Sequence, residues 1–183
     1  MGRKLTNADH RREATREEIW PGSSKVVWNP SDDDVKGFAT VSRLMPWIAA
    51  LIRHLADKGK DPTGVYWELW CRDFGQSIVE IKDEEEHAFA AGYTSNRALR
   101  TWREHVHLLA ELGFILIEAV GNREIGYVLL VDPLALARSF HEQKRTPPGW
   151  WNSFSKRAKD IGAIMPASHP TNAVQSPSPQ PMI

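Results

Sequence analysis

The sequence lacks an excess of charge of either sign. It contains 23 lysines and arginines against 23 aspartates and glutamates, so its formal net charge is zero. A strongly basic chain would indicate a nucleic-acid partner by composition alone. That argument is excluded here, and any nucleic-acid surface has to come from local clustering of charge.

Cysteine and long apolar runs are also scarce. Cys71 is the single cysteine, which excludes an intramolecular disulfide or a cysteine-rich metal site and fits a reducing compartment. The longest apolar stretch, residues 45–52, is too short to cross a bilayer. Residues 1–18 are polar and charged, unlike the apolar core of a secretory signal. We therefore expect a cytoplasmic protein with no membrane partner.

The recognisable motifs of enzymes are missing too. The sequence has no nucleophile elbow, phosphate-binding loop, dinucleotide fingerprint or paired-carboxylate spacing. His105 and His107 lie two residues apart on a predicted helix, so they point to different sides and cannot share an ion. We predict no catalytic residues, no metal and no cofactor. Cys71, in an aromatic helix, is expected to be a small buried hydrophobe.

What the sequence does contain is 42% hydrophobic residues in 183, enough for one core with tails left over. Apolar residues recur with helical spacing over 44–55 and 65–74, which predicts two amphipathic helices with Phe74 facing inward. Residues 77–81 are β-branched and predict a short strand. Residues 1–34 have no sustained period and are predicted to form a mostly unstructured arm that docks through Trp20 and Trp28.

The second half of the chain has clearer boundaries. Asp83 is a predicted N-cap for a helix that ends near Gly92. Thr94 and Ser95 are predicted to end a tight turn with an N-cap hydroxyl, and a long helix then runs to Gly113. Strands are predicted over 114–120 and 125–131 around a turn at 121–124. Asp132 is a predicted N-cap with Pro133 at the first helical position, so a helix follows over 133–145. A further helix is predicted over 150–161, before a Ser- and Pro-rich tail.

The order of these elements carries a resemblance. Two helices, a strand, a helix ending in Ala-Ala-Gly-Tyr, a short turn, a long helix and a hairpin follow one another. The long helix ends in LLAELGFILI, which contains Leu109, Leu112, Gly113, Phe114 and Ile115. This stretch resembles the winged helix-turn-helix superfamily, and residues 36–133 resemble uncharacterised winged-helix proteins of plasmids and other mobile elements.

The resemblance implies a mainly α fold with a small antiparallel β-hairpin (α+β), that is, a winged helix-turn-helix with flanking helices. The expected organisation is a partly disordered N-terminal arm (1–37), a winged-helix domain (38–132), C-terminal helices (133–163) and a disordered tail (164–183).

In that fold the long helix enters the major groove with its N-terminus first. Residues 94–103 hold three arginines and no acid. Arginine can bind guanine in bidentate fashion and Asn96 could bind adenine, whereas hydroxyls and Arg103 suit phosphates. The hairpin tip is expected to reach a backbone or minor groove. The predicted DNA-binding residues are Thr94, Ser95, Asn96, Arg97, Arg100, Thr101, Arg103, Asn122 and Arg123.

Two functions stay open at this point. The first is a sequence-specific homodimer on double-stranded DNA, acting as a transcriptional regulator or as a replication or partition factor of a mobile element. The second is an adaptor in a larger nucleic-acid or defence assembly that contacts a protein through Trp150 and Trp151, because several of the eight tryptophans lie outside the winged-helix core. The neutral charge of residues 94–127 also leaves room for a protein rather than DNA as the partner. Residues 138–159 hold six basic residues against Glu142. They suit a phosphate-tracking and base-stacking surface, unless the two tryptophans fold back onto the core or form a dimer interface.

Overall fold

The computed structural model describes residues 7–23 and 39–167, except for the side chains of residues 8 and 9.

The chain divides into two compact units, residues 1–38 and 39–183. In the first, helix α1 spans Asn7–Ile19. The unstructured arm predicted for residues 1–34 is therefore wrong over this range. Arginine, glutamate and alanine favour a helix without any apolar stripe, and hydrophobic periodicity detects only helices with such a stripe. Trp20 is exposed, and Trp28 and the tail from residue 168 lie outside the described residues.

The second unit is an α+β fold, as predicted at that level. Its helices and strands, in chain order, are α2 (Met45–Leu55), α3 (Thr63–Arg72), β1 (Ile78–Glu80), α4 (Glu84–Ala90), α5 (Ala98–Glu111), β2 (Ile115–Val120), β3 (Arg123–Leu130), α6 (Pro133–Glu142) and α7 (Trp150–Asp160). No helix among the described residues is long and apolar enough to span a bilayer.

One hydrophobic core joins the helices of this unit to the sheet. The helical spacing of the apolar residues predicted which faces turn inward, and those faces are buried in α2 and α5. The largest fully buried side chains are Trp102, Tyr66, Phe114, Phe154, Leu44, Met45, Ile48, Leu51, Ile52, Leu69, Ile81 and Leu109.

The sheet contains one strand more than the predicted hairpin. Its order is β1-β3-β2 with antiparallel pairing throughout, and Ile78 pairs with Leu129. Val120 pairs with Arg123, so the hairpin turn has two residues rather than the predicted four. Gly121 has φ 57, the positive value that the first position of such a turn needs.

Two side chains that were predicted to face the core are exposed. Helix α3 ends at Arg72, and Asp73 then accepts hydrogen bonds from the backbone N–H groups of Gln76 and Ser77, which forms a turn. Phe74 lies on that turn and is 92% exposed. Cys71 is exposed as well. It follows the buried Leu69 by two residues, which at 3.6 residues per turn is about 200° around the helix.

Candidate nucleic-acid interface

Helix α4 begins at a predicted cap, and a buried aromatic packs α5 against it. The Asp83 carboxylate accepts from the backbone N–H groups of Glu85 (3.0 Å) and Glu86 (3.2 Å), which confirms this N-cap. Trp102 of α5 is fully buried, and its ring centroid lies 5.9 Å from that of His87 in α4. Burial of Trp102 therefore fixes α5 against α4.

The start of α5 differs from the prediction. Its N-cap is Arg97, without a side-chain cap, and the helix begins at Ala98. The Ser95 hydroxyl accepts from the Arg97 N–H at 3.3 Å, and the Ser95 carbonyl accepts from Ala98 at 2.8 Å. Serine closes a local turn instead of capping the helix. Thr94, Ser95 and Asn96 therefore lie in the turn before α5, and all three are exposed.

The three arginines of residues 94–103 have different partners. Arg100 is exposed, and its Nε donates to Glu104 at 2.8 Å; this hydrogen bond lowers the pKa of Glu104. Arg103 donates from Nε to Glu84 of α4 at 2.8 Å, and this interaction raises the pKa of Arg103. Arg97 is exposed, and no acid contacts it among residues 7–23 and 39–167. Of the three arginines in this acid-free stretch, Arg97 alone has no acidic contact among the described residues.

The expected role of Arg103 as a phosphate contact is not what the structure favours, because its guanidinium bridges α5 to α4. Thr101 is half-buried on the same helix. Sequence reasoning missed both acidic partners. Glu104 follows Arg100 by four residues, a spacing that could have indicated the pair. Glu84 lies 19 residues from Arg103 and left no comparable signal.

The two residues predicted at the hairpin tip differ in exposure. Asn122 is exposed in the turn, as expected for a tip. Arg123 is half-buried, and its Nη1 donates to the backbone carbonyl of Ile81 at 2.6 Å. The prediction that Arg123 reaches outward from the tip is therefore wrong, because this side chain ties the start of β3 to the end of β1. His107 lies 3.3 Å from Glu124, so α5 adjoins the same end of the hairpin.

A shallow groove borders the turn before α5. It has a volume of about 320 Å³ and is lined by Phe89 of α4, by Tyr93 and by the exposed turn residues. Phe89 is 71% exposed. The turn, Arg97 and this groove form one continuous polar and aromatic surface at the N-terminal end of α5.

The two histidines of α5 have separate environments. His105 is buried, and its Nδ1 contacts the Tyr93 hydroxyl, whereas His107 contacts Glu124. Burial lowers the pKa of His105, and burial together with the Asp61 charge raises the pKa of Tyr93 to about 12. Within the described ranges no group of three or more potential ligands could hold a metal ion.

The C-terminal tryptophans also differ from each other. Trp150 is only 7% exposed and stacks on Phe154 with ring centroids 4.6 Å apart. It belongs to the core, which is the alternative in which the ring folds back, so Trp150 is not available for the possible protein contact. Trp151 is half-buried and stacks on His141 at 4.3 Å with an interplanar angle of 5°.

Comparisons with known proteins found no relative of the chain. No protein-family model matches the chain, and no curated protein or solved structure matches it either. The geometry of the described residues is therefore the basis of the functional argument.

Proposed function

We propose that the chain is a winged helix-turn-helix protein that binds double-stranded DNA through residues 94–97 and the first turn of α5. The observation that carries the proposal is the exposed Arg97, which has no acidic partner among the described residues and stands at the uncapped N-terminus of α5. Free backbone N–H groups and the helix dipole attract phosphate at such a terminus. The element order from α2 to β3 agrees with the winged-helix resemblance.

The residues of this surface divide into two roles. Asn96 and Arg97 are placed to contact base edges, and the hydroxyls of Thr94 and Ser95 suit phosphates. Arg100 can join them, because an exposed ion pair such as Arg100–Glu104 is weak and yields to a competing phosphate. As a homodimer the protein would read two half-sites about one helical turn apart. A transcriptional regulator or a replication or partition factor of a mobile element would use such a reader.

The test begins with selection of a preferred site from random duplexes, followed by fluorescence anisotropy on that site. Arg97→Ala is expected to weaken binding by about 5- to 150-fold, corresponding to roughly 1–3 kcal/mol for one good base contact. Arg43→Ala is the matched control, since Arg43 is also exposed and lies before α2. Absence of wild-type binding at 50 mM salt, or equal losses in the two variants, contradicts the proposal.

An adaptor function has one observation in its favour. Phe74 is 92%, Ile78 48% and Leu129 44% exposed, and Phe74 and Ile78 line a groove of about 600 Å³ beside β1. Exposed apolar side chains that adjoin one another often mark protein contacts. Light scattering and binding of a hydrophobic dye test this function. A monodisperse monomer that binds no dye contradicts it.

A further inference from the structure

The segment from α6 to α7 carries a second group of cations. Between Gln143 and Lys159 the sequence has five basic residues and no acid. All five side chains are exposed, and none contacts a carboxylate among the described residues. Arg138, which precedes them, does pair with Glu142 at 3.5 Å. The five unneutralised cations are Lys144, Arg145, Lys156, Arg157 and Lys159.

This group holds more free charge than the start of α5. There, two of three arginines are paired with glutamates, which leaves Arg97. The two surfaces are also apart. Phe140 of α6 stacks on Phe114, just after the C-terminus of α5, with ring centroids 5.8 Å apart. A 14-residue helix is about 21 Å long, so Lys144 and Arg145, which follow α6, lie beside the opposite end of α5 from Arg97. The stack of Trp151 on His141 joins α7 to the same segment.

Core packing holds the cations of α7 in place. Trp150, Phe154 and Ala158 are buried on the inner face of α7, which leaves Lys156 and Lys159 on its outer face. Their backbone positions are therefore fixed before any ligand arrives, and less ordering entropy is lost on binding.

An aromatic pair lies at one end of this charged surface. The stacked rings of His141 and Trp151 line a groove of about 290 Å³, together with Lys144 and Asn152. Small-molecule pockets have volumes from about 300 Å³ upwards, so this groove is close to the smallest of them. A flat ring can extend such a stack, while the amide and the ammonium group offer polar contacts beside it.

We propose that the surface formed by Lys144, Lys156, Lys159 and the His141–Trp151 pair binds single-stranded nucleic acid. The lysines bind successive phosphates, and one base stacks on the ring pair in the groove. Cations interleaved with aromatic rings are the combination that sequence-tolerant single-strand binding requires. This function is separate from duplex reading by α5, because it uses neither Arg97 nor the turn before it.

The experiment uses the full chain and fluorescein-labelled 20-mers, measured by anisotropy from 50 to 300 mM salt. The probes are oligo-dT, oligo-U, a mixed-sequence duplex and a 20-mer of abasic sugar-phosphate units. We expect oligo-dT or oligo-U to bind at least about fivefold more tightly than the abasic strand, because a stacked base adds to the phosphate contacts. Equal binding of the abasic strand, or tighter binding of the duplex, would overturn the proposal.

The site is located with charge-matched variants. K144Q/K156Q/K159Q should reduce the slope of log K against log salt by about 2, since each phosphate contact on a single strand contributes about 0.7. The control K58Q/K60Q/K82Q removes the same net charge at exposed lysines elsewhere, of which Lys60 and Lys82 pair with Asp57 and Glu80, and it should leave the slope unchanged. Equal effects of the two triple variants would place the ligand elsewhere and overturn the inference. Thermal unfolding of each variant verifies that it is folded.

The same measurements separate this inference from the proposed duplex function. Arg97→Ala should leave oligo-dT binding unchanged. If the wild-type chain binds no duplex but still binds oligo-dT through these lysines, only the duplex function fails. If Arg97→Ala weakens oligo-dT binding as much as K144Q/K156Q/K159Q does, the single strand lies on α5 and the present inference fails.

Discussion

How readily an arginine near a predicted binding surface reaches a ligand depends on the acceptor that already holds its guanidinium, and an exposed ion pair holds it only weakly. Arg97, Arg100 and Arg103 share one acid-free stretch of the sequence, yet the first has no acidic contact in the described part of the chain, the second pairs within its own helix and the third bridges to α4. Arg123 follows the same rule, because its acceptor is the carbonyl of the buried Ile81. Hydrogen bonds to charged groups contribute about 1.5–3 kcal/mol, which makes Arg123 a structural residue.

Arg123→Ala therefore tests a structural role against a DNA-binding role. We expect the free energy of unfolding to fall by about 1–3 kcal/mol, because the Ile81 carbonyl loses its donor. Duplex affinity of the folded protein should not change. Urea unfolding and anisotropy measure the two quantities, and Arg97→Ala should give the opposite pattern. A variant of unchanged stability that binds DNA weakly would return Arg123 to the interface.

The presence of a helix or strand was easier to predict than the residues at which it begins and ends. The acidic caps at Asp83 and Asp132 are confirmed, since both carboxylates accept from the backbone of the helix that follows. The start of α5 was misplaced because a serine hydroxyl can cap a helix or close a turn, and sequence alone does not say which. Pairing of β1 with β3 was not predicted, because it joins segments distant in the chain. The candidate site shifted accordingly, from a helix face to a turn.

The hairpin of β2 and β3 depends on a glycine that the sequence pattern did not single out. A Cβ on Gly126 would lie 2.5 Å from a methyl group of Val120 and 2.8 Å from its backbone nitrogen, across the irregular pairing between Glu118 and Val120. Gly126→Ala should lower the free energy of unfolding by about 1–3 kcal/mol, as overpacking does. Urea unfolding measures the loss.

The double variant G126A/V120A provides the control for this clash. It should regain only a small part of the stability lost in Gly126→Ala, because the contact with Cγ2 disappears while the contacts with the Cβ (2.7 Å) and the backbone nitrogen of residue 120 stay. If Gly126→Ala is as stable as the wild type, the close approach of the two strands is wrong.

For the molecule as a whole, hydrophobic periodicity predicted the core residues but not the features that lie outside the core. It placed Leu44, Trp102 and Leu109 inside, as observed. It gave no indication of α1, whose residues are mostly exposed. Composition was equally incomplete, because a net charge of zero conceals the five cations between Gln143 and Lys159 that contact no acid in the described part of the chain. Which charges are neutralised depends on distances between elements, and those distances are a property of the folded chain.

The stability of the whole fold should depend on pH through His105. Burial lowers the pKa of this ring in the folded protein, and a neutral Nδ1 can accept the Tyr93 hydroxyl. In the unfolded chain the histidine is protonated below its ordinary pKa of about 6.5. Just below that pH the unfolded state therefore binds more protons than the folded state does. The free energy of unfolding should therefore be highest above about pH 7 and fall as the pH drops through 6.5.

Urea unfolding of the wild type and His105→Gln between pH 5 and 7.5 measures this dependence. The glutamine can still accept the Tyr93 hydroxyl but does not titrate, so the loss of stability on acidification should be smaller in the variant. His54→Gln, at an exposed position, is the control and should retain the wild-type dependence. The slope of the unfolding free energy against pH is proportional to the number of protons that the unfolded chain binds in excess of the folded one. The difference in slope between the wild type and His105→Gln therefore measures the contribution of His105. Identical slopes in the wild type and His105→Gln would show that this ring binds its proton equally well in both states.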